Sequence, residues 1–501
     1  MNTHRRWLMV RASTAAVATA MLAGCAVSPS PLGEADLMKL ADTSMTNVAS
    51  NQEPISDSIG LHEAIARALK YNLDHQVELA EHAVRERELD LAHYSLMPTA
   101  VMNAGHTGRD RLIASSSQNV LTGTQSLATS TSQDKRLRSH DAVFGWNILD
   151  FGLSYVRARQ AADKALIQNE LRRKVTLRII DDTRTAYWRA VSAQRLLGQL
   201  RRVEANARSV ERDARNLAAD KQSSPITALT YEREVVEIQR TIGELARELN
   251  AAHAQLGALM NLQPGTRFTV AGGTIGPRAL PQGNISELHR IALANRPELR
   301  EVFYRQRINE HEVHAALLEM LPGLNLYAGA NFDSNSFLLE NHWQNWGAKA
   351  GWNLIKVFSH PARRAMNDEQ DDLLAKKALA VTMAVMTQVY VARIRYAHAI
   401  KEHHTAQRFY DVQKQLLDQI RVEASADRVS RQTLVREQLN TLVARAKADI
   451  AGTQLEAAYA MVLSSMGVEP EVTVTADVSV TDLARALHTS HPGLMRVVHT
   501  K

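Results

Sequence analysis

Two kinds of hydrophobic patterning share this chain. The first has a period of two. Trp346, Ala348, Ala350, Trp352 and Leu354 are apolar, and Gly347, Lys349, Gly351 and Asn353 lie between them. Ala142, Phe144, Trp146 and Ile148 alternate with Asp141, Val143, Gly145 and Asn147, less cleanly because of Val143. After Pro322, Leu324, Leu326, Ala328, Ala330 and Phe332 oppose Asn325, Tyr327, Gly329, Asn331 and Asp333. Alternation of this kind predicts strands with one apolar and one polar face. Their length, about ten residues, suits a tilted membrane strand. Apolar-out, polar-in strands with Trp near their ends are the pattern of a transmembrane β-barrel. An interface between two soluble sheets would also account for isolated tryptophans.

The second kind is helical. Residues 362–451 contain no Gly and no Pro, and residues 153–224 contain only Gly198. Ninety helical residues would extend about 135 Å. Helices of that length need a partner helix and a turn back. The turns are expected at Asp220–Pro225 and at Ala424–Asp427. Apolar residues at helical spacing, such as Leu61, Ile65 and Leu69, form seams, and most charges form solvated faces.

The two patterns recur together. A constant shift of 224 places Ala68-Leu69 on Ala292-Leu293, Glu86 on Glu310, Ala92 on Ala316, Pro98 on Pro322 and Ala104-Gly105 on Ala328-Gly329. The stretch Gly145-Trp146-Asn147-Ile148-Leu149-Asp150 then matches Gly351-Trp352-Asn353-Leu354-Ile355-Lys356 with a shift of 206. The first copy thus carries 18 extra residues, in a Ser-, Thr- and Gln-rich stretch between Gly105 and Gly145. Thr227, Met260 and Pro264 match Thr433, Met466 and Pro470 in the second frame. Each copy reads as helix, strand, loop, strand, long helices. Two strands per copy make four per chain. Four strands cannot close a barrel, and an open edge in lipid leaves backbone groups unpaired. Oligomerisation with a shared barrel follows.

Composition agrees with a helix-rich chain: 23 Gly, 13 Pro and 5% aromatic residues in 501. The single cysteine, Cys25, excludes an internal disulfide. It follows a positive segment with Arg5, Arg6 and Arg11, then a short apolar run ending Leu22-Ala23-Gly24. That run suits a signal peptide and is too short to span a bilayer. Leu22-Ala23-Gly24-Cys25 resembles the bacterial lipobox, which implies covalent lipid on Cys25. Ala26 in place of Asp implies sorting to the outer membrane. Residues 1–24 hold three arginines and no acid, so the formal charge of +6 falls to +3 without them. Lys and Arg alternate with Asp and Glu, which gives no nucleic-acid footprint.

The duplicated order, with Ala68-Leu69 to Asn72 and Pro98, Ala292-Leu293 to Pro297 and Pro322, Asn147 to Gly152 and Ala186-Tyr187-Trp188, resembles the TolC-type outer-membrane efflux channel family. The likeness covers residues from about 58 to 470. The lipobox points to its lipoprotein branch, which partners resistance-nodulation-division (RND) pumps. The resemblance implies a mostly α fold with a membrane β-barrel part, built from two tandem repeats of helix–strand–strand–long helix. It further implies a homotrimer with a trimeric α-helical barrel and a shared 12-stranded β-barrel. A periplasmic adaptor, an inner-membrane pump and outer-membrane lipid are the implied partners. No cofactor beyond the lipid and no catalysis are expected.

On this reading residues 1–24 are the signal peptide and 25–57 a lipid-anchored linker. Repeat 1 spans 58–270, with strands about 99–113 and 141–150 and helices over 153–262. A link covers 271–284. Repeat 2 spans 285–470, with strands about 323–335 and 343–355 and helices over 362–466. The tail, 471–501, is equatorial. Trp146, Trp346 and Trp352 are the expected lipid-facing residues, with the Asn after each Gly-Trp facing the lumen.

Two departures from the family stand out. Asp150-Phe151-Gly152 has no equivalent in the second copy, which reads Lys356-Val357-Phe358. The second tip, from Ala426 to Arg436, has Thr433 and Arg436 roughly where family members carry acids. No aspartate ring is carried over. Asp427, Arg428, Arg431 and Arg436 are the candidate gate residues, and solvated or adaptor-docked arginines are the competing account. His311-Glu312-Val313-His314 has i, i+3 spacing, which fails the H-E-x-x-H helix motif. Glu402-His403-His404 is no stronger, and no phosphate-loop or nucleophile-elbow motif occurs. Type I protein secretion, and a lipid-anchored periplasmic coiled-coil adaptor or structural protein, are the alternative functions.

Overall fold

The computed structural model describes residues 29–219, 225–273, 275–280, 283–468, 470, 472, 474–475 and 477–497. Two units are separate. The first, ending at Glu53, contains α1 (Glu34–Asn47). The second begins at Pro54 and carries both repeats.

Repeat 1 runs α2 (Leu61–Tyr71), α3 (Leu73–Tyr94), β1 (Thr99–Gly108), β2 (Arg136–Asn147), α4 (Ile148–Ala219) and α5 (Pro225–Leu259). Repeat 2 runs α6 (Ile285–Asn295), α7 (Pro297–Leu318), β3 (Gly323–Asp333), β4 (His342–Gly351), α8 (Leu354–Ser425) and α9 (Arg431–Ser465), and α10 (Val480–Val497) follows. The two shifts read from the sequence hold at both ends of these helices. A shift of 224 carries α2 and α3 onto α6 and α7, and a shift of 206 carries α4 and α5 onto α8 and α9.

The repeats reach the same backbone by different chemistry. Between α2 and α3 the chain breaks at Asn72, whose side chain accepts a hydrogen bond from the His75 amide. At the matching break Arg296 is extended because Pro297 follows it, and Pro297 opens the next helix.

The four strands form one antiparallel sheet in the order β1-β2-β3-β4. Several boundaries differ from the expectations above. β1 stops at Gly108, five residues short, and β2 starts at Arg136, five residues early, because Gly108 pairs with Arg136. The loop beyond them makes its own short ladder, Ser115 with Ser130 and Gln118 with Gln125. The long helices begin at Ile148 and Leu354, ahead of 153 and 362. Asparagine is the cause in both copies. The Asn147 side chain accepts from the Leu149 amide (3.1 Å), and that of Asn353 accepts from Ile355 (3.2 Å). These caps satisfy helix-start donors immediately after the tryptophan. Pro361 lies inside α8 and does not end it. The turn expected at Ala424–Asp427 begins only after Ser425, the last residue of α8, and runs to Ser430 before α9, whereas 220–224 falls outside the described residues.

The helices form an open row. Towards the sheet α4 packs on α3 and α7, and α7 packs on α8. Away from it α5 packs on α4, α4 on α9 and α9 on α8. One core joins Leu196, Leu200 and Val203 of α4 to Leu249 of α5 and to Leu439 and Leu442 of α9. Another joins Val389 and Tyr396 of α8 to Leu455 of α9, to Met466 just after it and to Leu288 of α6. The link between repeats crosses this row. Val270 pairs with Ile59, Gln194 binds the Val270 amide and carbonyl (2.8 and 3.0 Å), and the Tyr187 hydroxyl donates to Ala271 (2.6 Å). On the other side Val480, Leu483 and Leu487 of α10 pack on Ile65 and Leu69 of α2.

Replacing Asn353 with Ala should cost about 1 kcal/mol at the start of α8. Circular dichroism melts should show helix loss at a lower temperature for Asn353→Ala and near wild type for Asn353→Asp. Equal melts for all three would mean that the cap does not hold that helix end.

Candidate functional site

Residues directly opposite each other in an antiparallel ladder share a face. Trp146 opposes Leu326, Phe144 opposes Ala328, and Ala328 opposes Trp346, so the even-numbered positions of all four strands form one surface. That surface carries Met102, Phe144, Trp146, Leu324, Leu326, Phe332 and Trp346, all exposed or half-exposed. Trp346 is 80% exposed. The other face holds Asn103, Asp141, Asn331, Asn345 and Lys349. There Asn103 donates to Asp141 (2.8 Å) and Asn331 to Asn345 (2.9 Å). Tyr327 lies across Gly347 on this polar face, and a Cβ at 347 would come 2.7 Å from its hydroxyl. A soluble sheet would cover the apolar face. Here no described element does.

Trp352 differs from its expected place. It follows the end of β4, and its indole N–H donates to the Met320 carbonyl (2.8 Å), tying the start of α8 to the turn after α7. Asn353, expected to face a lumen, caps α8 instead, whereas Asn147 both ends β2 opposite Asn325 and caps α4. A Cβ at Gly145 would come 3.2 Å from Thr99 Oγ1, but Gly351 has open space around it, so close packing does not explain the second glycine.

Lys356, where the second copy departs from Asp150 of the first, now has a reason. Glu319, half-buried just after the end of α7, receives Arg363 (2.9 Å), Lys356 (3.4 Å) and Arg157 (3.7 Å). An acid at 356 would face that carboxylate. In the His311-Glu312 stretch, Glu312 is held by Arg157 (2.6 Å) and Gln160 (2.9 Å).

At the far end of the row, α8 closes with Asp427 at φ 55°, the left-handed conformation that glycine usually supplies and that Asp tolerates. The Arg428 amide reaches back to Glu423 O (3.0 Å) and the Asp427 amide to Ala424 O (3.2 Å), the bonding of a Schellman turn. Ser430 then caps α9 by accepting from the Thr433 amide (3.2 Å). Arg428 sits 3.5 Å from Glu423 at the surface, and Arg431 is the exposed first residue of α9. Arg436 is engaged by Glu437 (3.6 Å) and by Glu234 of α5 (3.7 Å), so it braces two helices of one chain. Cys25 falls outside the described residues.

A buried ionic knot between these ends escaped sequence reasoning. Glu456, 2% exposed, accepts from Arg278 (3.0 Å), whose guanidinium lies 5.3 Å from the Tyr459 ring. Arg184 and Asp181 of α4 lie beside it. Burial pushes the Glu456 carboxyl up and the Arg184 guanidinium down. Burial also raises the Asp181 carboxyl to about 6, against opposing pulls from Ser464 and Arg184. These residues come from α4, the link and α9, so no local spacing could announce them. Among the described residues no helix is long and apolar enough to cross a membrane.

No family model and no curated protein matches the sequence. Solved structures do. The outer-membrane channel OprN aligns with 84% of this chain and 96% of its own at 14% identity and a TM-score of 0.62. CusC, solved in a study of folding and transmembrane channel formation, aligns over the same shares at 16% identity and 0.62. The open state of the MtrE outer-membrane channel of Neisseria gonorrhoeae aligns with 84% of this chain and 94% of its own at 15% and 0.63. The chain has the TolC-type outer-membrane channel fold.

The folded Asp181 carboxyl titrates at about 6, against an unperturbed 3.8. The folded chain therefore binds the extra proton in that window. Stability from this group is whole below about pH 4 and falls as pH rises towards 6. Asp181→Asn should flatten that part of the stability–pH curve in thermal melts. A curve identical to wild type between those pH values would contradict the assignment.

Proposed function

We propose that this protein is the outer-membrane channel of a tripartite efflux system. The observation that carries the proposal is the open four-stranded sheet, with an exposed apolar face, a hydrogen-bonded polar face and outer strands β1 and β4 each paired on one side only, set on an open row of long helices. Each unpaired backbone group in hydrocarbon costs several kcal/mol. Three copies joined β4 to β1 would pair all of them in a barrel of twelve strands. The even face, with Trp146 and Trp346, would meet lipid, and the odd face would line water. The helices would continue the bore through the periplasm towards an adaptor and an inner-membrane pump of RND type, which supplies the energy. Lipid on Cys25 would hold the N-terminal end at the membrane.

The helical hairpin tip would be the periplasmic entrance. Three copies of Arg428 and Arg431, with Asp427 shaping the turn, would ring a narrow opening and favour anions. Arg436, braced by Glu234 and Glu437, would act by holding α5 and α9 together.

Trp346→Asp should abolish outer-membrane assembly, because a carboxylate on the lipid face costs up to a few kcal/mol in each copy. Normal assembly of that variant would reject the lipid-facing assignment. Arg431→Ala should lower anion-over-cation permeability in planar bilayers, and Arg436→Ala should raise leak through a loosened tip. Unchanged selectivity and leak in both would sink the gate assignment.

A further inference from the structure

The repeat relation specifies more than the fold. Near the sheet, α4 of repeat 1 packs on α7 of repeat 2 within one chain. That seam is polar and explicit. Arg157 binds Glu312 (2.6 Å), Gln160 donates to the Ile308 carbonyl (3.3 Å), and Asp163 meets Arg307 (3.0 Å) and His311 (3.8 Å). The next seam in the row would join α8 to α3, the counterparts of α4 and α7. Within one chain these two helices lie at opposite ends of the row, and among the described residues no second long helix flanks either of them there.

Moving the observed contacts by 206 on one side and 224 on the other names the residues of that missing seam. Arg157 becomes Arg363 and Glu312 becomes Glu88, so the ion pair keeps its sign. Asp163 becomes Glu369, while Arg307 becomes Ala83 and His311 becomes Arg87, so the cation moves one helical turn. Gln160 becomes Met366 and Ile308 becomes Val84, an apolar pair in place of a polar one. All are on exposed helix faces: Met366 is 62% exposed and Val84 56%. In the single chain Glu88 and Arg87 have only partners on their own helix, Arg85 (2.7 Å) and Asp90 (2.8 Å).

We propose that α8 of one copy docks on α3 of the next through a seam that repeats α4 on α7, with Arg363 opposite Glu88, Glu369 opposite Arg87, and Met366 packed on Val84. The occupant of both faces is a second copy of this chain, in a head-to-tail contact that closes into a ring. The seam rests on the channel reading, and it adds the register in which copies meet. A slip of one turn would place Arg363 against residue 84 or 92 instead of Glu88.

The test is oxidative cross-linking of full-length Met366→Cys with Val84→Cys in membranes, followed by conductance in planar bilayers. Covalent species of two and three chains, absent from either single variant, are the expected result. Conductance without cross-links would overturn the seam and leave the channel reading standing. Cross-links without conductance would support the seam and count against the channel. Neither would overturn both. A second pair of variants is independent of the cysteines. Glu369→Arg should lower the assembled fraction about two- to fivefold, the effect of an exposed ion pair, and adding Arg87→Glu should restore it. No restoration would count against the Glu369–Arg87 contact.

Discussion

A sheet in hydrocarbon cannot have an edge. Every N–H and C=O that would bond water in a soluble protein must find a backbone partner there. This chain supplies four strands, with β1 and β4 each paired on one side only. The apolar face has no cover, and the polar face is bonded within itself through Asn103–Asp141 and Asn331–Asn345. The proposed closure of the edges by further copies would account for both faces. The helices meet the same condition lower down, because the row that starts with α3 and α5 ends at α8.

Duplication is the economical way to build such a wall. One helix–hairpin–helix unit, written twice, gives a row whose internal seam between α4 and α7 already has the form needed between copies. The differences between repeats then mark local needs. Lys356 stands where the first copy has Asp150 because it meets the Glu319 carboxylate, which an acid there would repel. Pro297 performs at one break what the Asn72 side chain performs at the other. Within the tip, Asp427 adopts the left-handed conformation in place of glycine.

Much of this was legible in the sequence, and for definite reasons. Period-two runs around Trp146 and Trp346 marked strands because one face of the sheet is apolar and the other polar. The shifts of 224 and 206 marked the helices because a duplicated helix keeps its length even after its residues diverge. Boundaries were less legible. Asn147 and Asn353 looked like polar strand positions, and their capping role appears only when the next amide points at the side chain. The Glu456–Arg278–Arg184 knot was invisible because its members lie far apart in sequence and converge only when the link crosses the helices. That Arg436 also bridges to Glu234 on α5 could not be read from sequence, because the two are far apart along the chain.

The central claim is that several chains complete one barrel. The mass of the protein component in detergent-extracted particles, measured by light scattering with the detergent contribution subtracted, tests it most directly. The account predicts three chains per particle, each of 55.6 kDa before any processing. A particle with a single chain would leave β1 and β4 unpaired in the membrane and would contradict it.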